Sequence, residues 1–133
     1  MKNFILYRIF YDDTLVYIGR TKQDLKQRLR GHFFSKPMHR KIDIFRVTKI
    51  EIVQFETEAD MYVYEVYLIN LHKPPLNVDD RARDELTLLL PEVKWTEFEC
   101  NLMDKWKNLL SKEENKQMYK RNYGAITRLE ETT

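Results

Sequence analysis

The first third of the chain alternates short apolar runs with turn residues. Residues 4–10 (FILYRIF) are rich in β-branched and aromatic side chains, which are typical of strands. Asp12 and Asp13 supply a turn, and a second apolar run covers residues 15–18. This pattern predicts a β-hairpin. Because both strands contain consecutive apolar residues, we expect burial on both of their faces.

A helical pattern follows the hairpin. Leu25, Leu29 and Phe33 recur at every fourth position and form one apolar stripe. Thr21 followed by Asp24 resembles a capping box and predicts where the helix begins. The other faces carry the positive and titratable side chains Lys22, Lys26, Arg30, Arg28 and His32. The last two are one helical turn apart.

A third strand and a second helix are predicted further along. Residues 44–55 (IFRVTKIEIVQF) have strand composition. Thr57 and Asp60 repeat the capping signal, and they precede an apolar run over residues 61–71 that ends before Pro74.

Glu65 interrupts this apolar run, which is otherwise polar only at Asn70. Two interpretations stay open. Either Glu65 lies on a narrow exposed face of the helix, or it is desolvated. A desolvated carboxylate needs a metal, a cation or a strong donor, or else it becomes protonated.

The C-terminal part is predicted to be a helical extension, residues 81–133, packed on a module formed by residues 1–80. Four large apolar residues recur at a spacing of three to four or nearly so: Trp95, Leu102, Trp106 and Leu109. We expect the two tryptophans to be core residues.

Composition narrows the class of protein. At 133 residues, 43% of them hydrophobic and 33% charged, the chain fits one globular domain. The single cysteine, Cys100, cannot form an internal disulfide, and no signal peptide or membrane-length apolar run is present. We therefore expect an intracellular, cytoplasmic protein without membrane contact.

Charge is distributed unevenly along the chain. Residues 1–49 carry 12 Lys and Arg against 4 Asp and Glu, a net charge of +8, whereas residues 50–133 carry 11 against 17, a net charge of −6. A basic half attracts the phosphate backbone of nucleic acids. The alternative is that these lysines and arginines only keep a helix solvated.

Five short phrases connect these elements, and they occur in the order Ile5-Leu6-Tyr7, Tyr17-Ile18-Gly19, Leu25-x-x-Arg28-x-x-x-His32, Glu65 and Lys73-Pro-Pro-Leu-Asn77. Their order and spacing resemble the GIY-YIG nuclease family, which includes homing endonucleases, some restriction enzymes and the bacterial excision-repair nuclease. The resemblance covers about residues 4–78. The first phrase keeps the family's tyrosine but lacks its glycine.

The resemblance implies an α+β fold, a small antiparallel three-stranded sheet flanked by helices. It also implies a metal-dependent DNA endonuclease that uses one divalent cation, Mg²⁺ or Mn²⁺, held by Glu65. Tyr7 would be the general base for water, or His32 would accept the proton itself. Tyr17 would hydrogen-bond the phosphate or the water, and Arg28 would grip the phosphate oxygens in the transition state.

Further residues complete this hypothesis. Candidate contacts to the DNA backbone are Arg20, Lys22, Lys26 and Arg30, whereas Gly19 and Asn77 would shape the site. The C-terminal helices would offer a homodimer interface or dock a protein partner. A small free-standing nuclease would suit a mobile element or a virus. The alternative function is a catalytically inactive module on the same fold that binds nucleic acid or protein.

Overall fold

An antiparallel sheet of four strands forms the centre of the protein. This computed structural model describes residues 4–35 and 41–112. The strands lie in the order β2-β1-β3-β4, where β1 is Phe4–Tyr11, β2 is Thr14–Thr21, β3 is Val47–Phe55 and β4 is Thr96–Glu97. The first two form the predicted hairpin, and Asp12 turns the chain with a positive φ of 53°.

The α+β class and the flanking helices are confirmed, but the predicted number of three strands is wrong. The fourth strand is Thr96–Glu97, which pairs with Ile52 and Glu51 of β3. Two residues are too few to produce an alternating pattern, so this strand has no signal in the sequence.

Helix α1 spans Leu25–Arg30 and continues as a π-helical turn, Gly31–Ser35. Its N-cap is Asp24, whose side chain accepts a hydrogen bond from the Lys26 amide. The predicted start at Thr21 is wrong, because the hydroxyl of Thr21 accepts from the amide of Gln23 in a local turn instead.

Helix α2 spans Glu58–His72 and begins where the sequence predicts. Thr57 is its N-cap and accepts a hydrogen bond from the Asp60 amide. The helix ends at Lys73, whose left-handed backbone (φ 47°) precedes the buried Pro74. Ahead of β3, Ile44–Arg46 form a 3₁₀ turn, so the strand is shorter at its start than predicted.

The sheet is covered on both faces. Leu6 of β1 and Ile18 of β2 belong to one apolar cluster with the α2 residues Met61 and Leu68. Their neighbours Tyr7 and Tyr17 point to the opposite face, since side chains alternate along a strand. There both rings contact His32 of the π-helical turn. Two layers therefore meet at β2, the edge strand of the sheet.

The C-terminal part differs from the predicted helical extension. Residues 81–95 contain neither helix nor strand, and helical residues occur at 103–112. The described residues divide into two compact units, with the boundary after Cys100. The predicted helical segment beyond residue 112 lies outside the described residues, and the functional boundary at residue 80 stays a prediction. None of the described helices is long and apolar enough to cross a membrane.

Candidate active site

Tyr7 and His32 form a buried pair. Tyr7 is fully buried, and its hydroxyl lies 2.5 Å from Nε2 of His32. The ring of Tyr17 contacts both partners, with centroid distances of 4.7 Å to His32 and 6.1 Å to Tyr7. Three residues from three predicted phrases thus meet on one face of the sheet.

Gly19 makes room for this cluster. It lies opposite Tyr7 in the strand register, and a Cβ atom at this position would come within 2.5 Å of the Tyr7 hydroxyl and Cζ and 2.8 Å of Tyr17 Cε1. Gly19 does not have a positive φ. Glycine is therefore required here for space and not for backbone conformation.

We expect Gly19→Ala to destabilise the protein by about 1–3 kcal/mol, the usual cost of overpacking a filled site. Urea unfolding measures this. The matched control is Gly31→Ala, because a Cβ at Gly31 meets nothing within 4 Å and the backbone there is helical. That control should be neutral or stabilising by up to about 1 kcal/mol. Equal effects of the two substitutions would contradict this explanation.

Arg28 projects from α1 toward the two tyrosines and lines an open cavity. Burial alone lowers the pKa of Arg28, but the adjoining Tyr7 and Tyr17 hydroxyls raise it above its usual value. The guanidinium therefore stays charged at any physiological pH.

Burial raises the pKa of Tyr7 well above that of a free phenol, and the same effect raises the pKa of Tyr17. Arg28 opposes both shifts without reversing them. A general base at this position would be favoured by a lowered pKa of Tyr7. In the free protein, the nearby positive charge does not lower the pKa of Tyr7 below its usual value. Both phenols are protonated at neutral pH.

The raised pKa of Tyr7 predicts a loss of stability at alkaline pH. Above pH 10 the unfolded chain releases the Tyr7 proton while the folded chain keeps it, so the free energy of unfolding falls as pH rises. Below pH 10 this contribution is constant. Each retained proton steepens the fall by about 1.4 kcal/mol per pH unit. Urea unfolding of Tyr7→Phe between pH 9 and 11 should show a shallower fall than wild type, and parallel curves would contradict the prediction.

Glu65 is buried, so the interpretation that places it on an exposed face is wrong. Its side chain occupies the buried stripe of α2 with Met61, Leu68 and Ile69, and the residue is 7% exposed. Arg20 Nη1 lies 2.7 Å from Oε1 of Glu65. Burial raises the pKa of Glu65, and Arg20 opposes that shift.

Two of the four predicted DNA contacts are paired with acidic residues of α2. Arg20 binds Glu65, and its guanidinium lies 4.0 Å over the ring of Tyr62. Lys22 Nζ lies 3.0 Å from Oε1 of Glu58. The Tyr62 hydroxyl donates to the same Glu58 carboxylate at 2.6 Å. Both cations therefore already have an acidic partner on α2 in the free protein.

The other two predicted contacts, Lys26 and Arg30, lie on α1. Arg30 is exposed and Lys26 is half-buried. Together with Arg28 they give this helix three cations. Neither Lys26 nor Arg30 lines the cavity.

Asn77 holds the edge strand β2 in place through its side chain. Its amide oxygen accepts a hydrogen bond from the Ile18 amide, and its amide nitrogen donates to the Ile18 carbonyl, both at 2.8 Å. Leu76 adds a backbone bond to Val16 at 3.0 Å. Asn77 thus holds the backbone between Tyr17 and Gly19 with both polar atoms of its side chain.

An open cavity of about 480 Å³ joins these groups. Its lining includes the side chains that the sequence singled out, Tyr17, Arg20, Arg28, His32, Glu65 and Asn77. Tyr7 lies behind this wall. Three residues that were not predicted from the sequence also line the cavity: Tyr62, Asp79 and Asp80. The two aspartates closely follow the asparagine phrase, and that position was the available signal.

The family model described as "GIY-YIG catalytic domain" matches residues 3–77, more than half of the chain. The chain belongs to the GIY-YIG family. The resemblance inferred from the five phrases is confirmed, and the matched range contains every predicted site residue.

Curated relatives match about half of the chain. UvrABC system protein C of Geobacter metallireducens is 32% identical over 79 residues, which cover 57% of this chain and 12% of that protein. The protein of the same name from Borrelia duttonii is 34% identical over 75 residues, 53% of this chain and 12% of the relative. The chain therefore spans only a small part of the length of these relatives. No solved structure gives a significant match.

Proposed function

We propose that this GIY-YIG domain is a DNA endonuclease that hydrolyses phosphodiester bonds with one divalent cation. The observation that carries the proposal is the convergence of Tyr17, His32 and Arg28 on a cavity that Glu65 also lines. Phosphodiester hydrolysis needs a proton acceptor, a fixed positive charge and a metal ligand. Each has a candidate at this cavity.

Glu65 is the residue that would hold the cation. Its carboxylate is a hard oxygen ligand at the cavity wall, and no group of three or more His, Cys, Asp or Glu side chains with metal-site geometry occurs among residues 4–35 and 41–112. A carboxylate ligand fits Mg²⁺ or Mn²⁺, because Mg²⁺ is usually bound by one or two carboxylates, keeps several waters and takes its other ligands from substrate phosphates. When bound, such an ion neutralises charge on the phosphate and polarises a water.

The Tyr7–His32 pair is our candidate for the group that accepts the proton of the attacking water. Tyr7 starts as a neutral phenol, so it is able to take a proton only as it gives its own to Nε2 of His32. His32 itself lines the cavity. In either route the proton ends on the imidazole, and we therefore treat the two residues as one acid–base unit. The tautomer that this requires carries its hydrogen on Nδ1 at the start.

Arg28 and Tyr17 would stabilise the transition state. Arg28 keeps its charge and faces the cavity, and a guanidinium binds two phosphate oxygens at once. The Tyr17 hydroxyl is protonated and is placed to donate to a phosphate oxygen or to the water. Two further cations of α1, the half-buried Lys26 and the exposed Arg30, would extend the positive surface next to Arg28 along the DNA backbone.

The test is nicking of supercoiled plasmid by the full chain in Mg²⁺, in Mn²⁺ and in EDTA. The proposal predicts conversion to open circles with either metal and none in EDTA. Salt-sensitive binding of the plasmid without cleavage in any metal would overturn it and favour the inactive binding module instead.

A further inference from the structure

The carboxylate that would hold the cation already pairs with a cation of the chain itself. Arg20 Nη1 lies 2.7 Å from Glu65 Oε1, and the side chain of Arg20 remains 40% exposed while that of Glu65 is 9% exposed. A buried carboxylate without a partner is costly. Arg20 therefore favours the ionised form of Glu65, because it opposes the rise in the Glu65 pKa that burial causes.

Tyr62 supports Arg20 in a way that permits movement. The guanidinium carbon lies 4.0 Å from the centre of the Tyr62 ring. Glu58 holds this ring by accepting from its hydroxyl at 2.6 Å. A guanidinium that lies over the face of a ring is able to turn and keep this cation–π contact, so it does not need Glu65 to remain in place.

We propose that Arg20 is an exchangeable counter-ion: it occupies Glu65 in the free protein, leaves when a divalent cation binds there, and then pairs with a phosphate of the bound DNA. This inference rests on the proposed function. A divalent ion at Glu65 repels the guanidinium, which needs another anion, and the DNA backbone supplies one beside the same cavity. Cation binding is consequently weak in the free chain and stronger in the presence of DNA, because the two binding events are linked.

The first test is the affinity of the full chain for Mn²⁺ alone, measured by calorimetry without DNA. Arg20→Met keeps an aliphatic stem over Tyr62 and removes the charge, and it should bind Mn²⁺ about threefold to tenfold more tightly than wild type, the effect of removing one half-exposed competing cation. The matched control is Lys22→Met, since Lys22 pairs with Glu58 and not with Glu65. Its affinity should stay within about twofold of wild type.

The remaining outcomes separate this inference from the proposed function. If Glu65→Gln binds Mn²⁺ as well as wild type, the metal site of the proposed function is wrong and the inference falls with it. If binding depends on Glu65 but Arg20→Met binds equally or more weakly, the inference alone is overturned. Absence of measurable binding in both wild type and Arg20→Met also overturns it.

A second measurement tests the exchange with DNA. In a Tyr7→Phe background, in which cleavage is expected to be slow, a short duplex should tighten Mn²⁺ binding. The gain should be smaller when Arg20→Met is added, because the linkage runs through Arg20. If DNA raised the Mn²⁺ affinity equally with and without Arg20, the DNA phosphate would be excluded as the new partner of Arg20.

Discussion

Glu65→Gln is expected to lower the rate of DNA cleavage by about a thousandfold or more while the chain keeps its fold. Glutamine has the shape of glutamate, so the buried stripe of α2 stays filled. It lacks the charge that would hold a divalent cation. A loss of about 4 kcal/mol of transition-state stabilisation, typical for removing a metal ion's contribution, corresponds to this factor.

The measurement is single-turnover cleavage in Mg²⁺, with thermal unfolding to check the fold. The matched control is Glu58→Gln, because Glu58 lies on the same helix and also pairs with a basic side chain, that of Lys22, but is more exposed. We expect its cleavage rate to stay within about threefold of wild type. A Glu65→Gln chain that is folded and cleaves like Glu58→Gln would remove Glu65 from the mechanism.

Tyr7→Phe is expected to lower cleavage by about a hundredfold to ten-thousandfold, the range for losing a positioned acid–base group. The substitution removes one hydroxyl from a fully buried ring and breaks the 2.5 Å contact to His32. The phenyl ring still fills the space over Gly19. The loss should therefore appear in the rate of cleavage and not in DNA binding.

The control for Tyr7 is Tyr64→Phe, whose hydroxyl donates to the Pro91 carbonyl away from the cavity. Its cleavage rate should equal that of wild type. His32→Ala should lose as much activity as Tyr7→Phe, and the double variant should lose little more, because the two residues form one unit. Additive losses would show that Tyr7 and His32 act separately.

Local patterns predicted most of the fold correctly. The hairpin follows from two apolar runs around Asp12, and α2 begins at Thr57 because capping is a short-range interaction. The two-residue β4 was not predicted, because it is defined by its pairing with β3 and not by a pattern in its own sequence. Asp24 displaced Thr21 as the cap of α1, since both residues offer an oxygen and the sequence does not rank them.

The candidate site was predicted as a set of residues but not as a set of contacts. Helix α2 is apolar on more than its buried side: Val63 is 55% exposed and Val66 is 43% exposed. The spacing of apolar residues therefore did not predict whether Glu65 faces the core or the solvent. The Arg20–Glu65 pair joins residues 45 positions apart, so only the fold reveals that a predicted DNA contact is occupied.

We propose that this chain performs its chemistry at the cavity that Arg28, Tyr17 and Glu65 line together. The most direct test is the rate of plasmid nicking by Arg28→Ala in Mg²⁺ at saturating DNA, beside Arg30→Ala, its neighbour on α1 that does not line the cavity. We predict that Arg28→Ala cleaves about a hundredfold to a thousandfold more slowly than wild type, because it lacks a positive charge that stabilises the transition state. The rate of Arg30→Ala should stay within about threefold of wild type. Equal rates for the two variants would contradict the account.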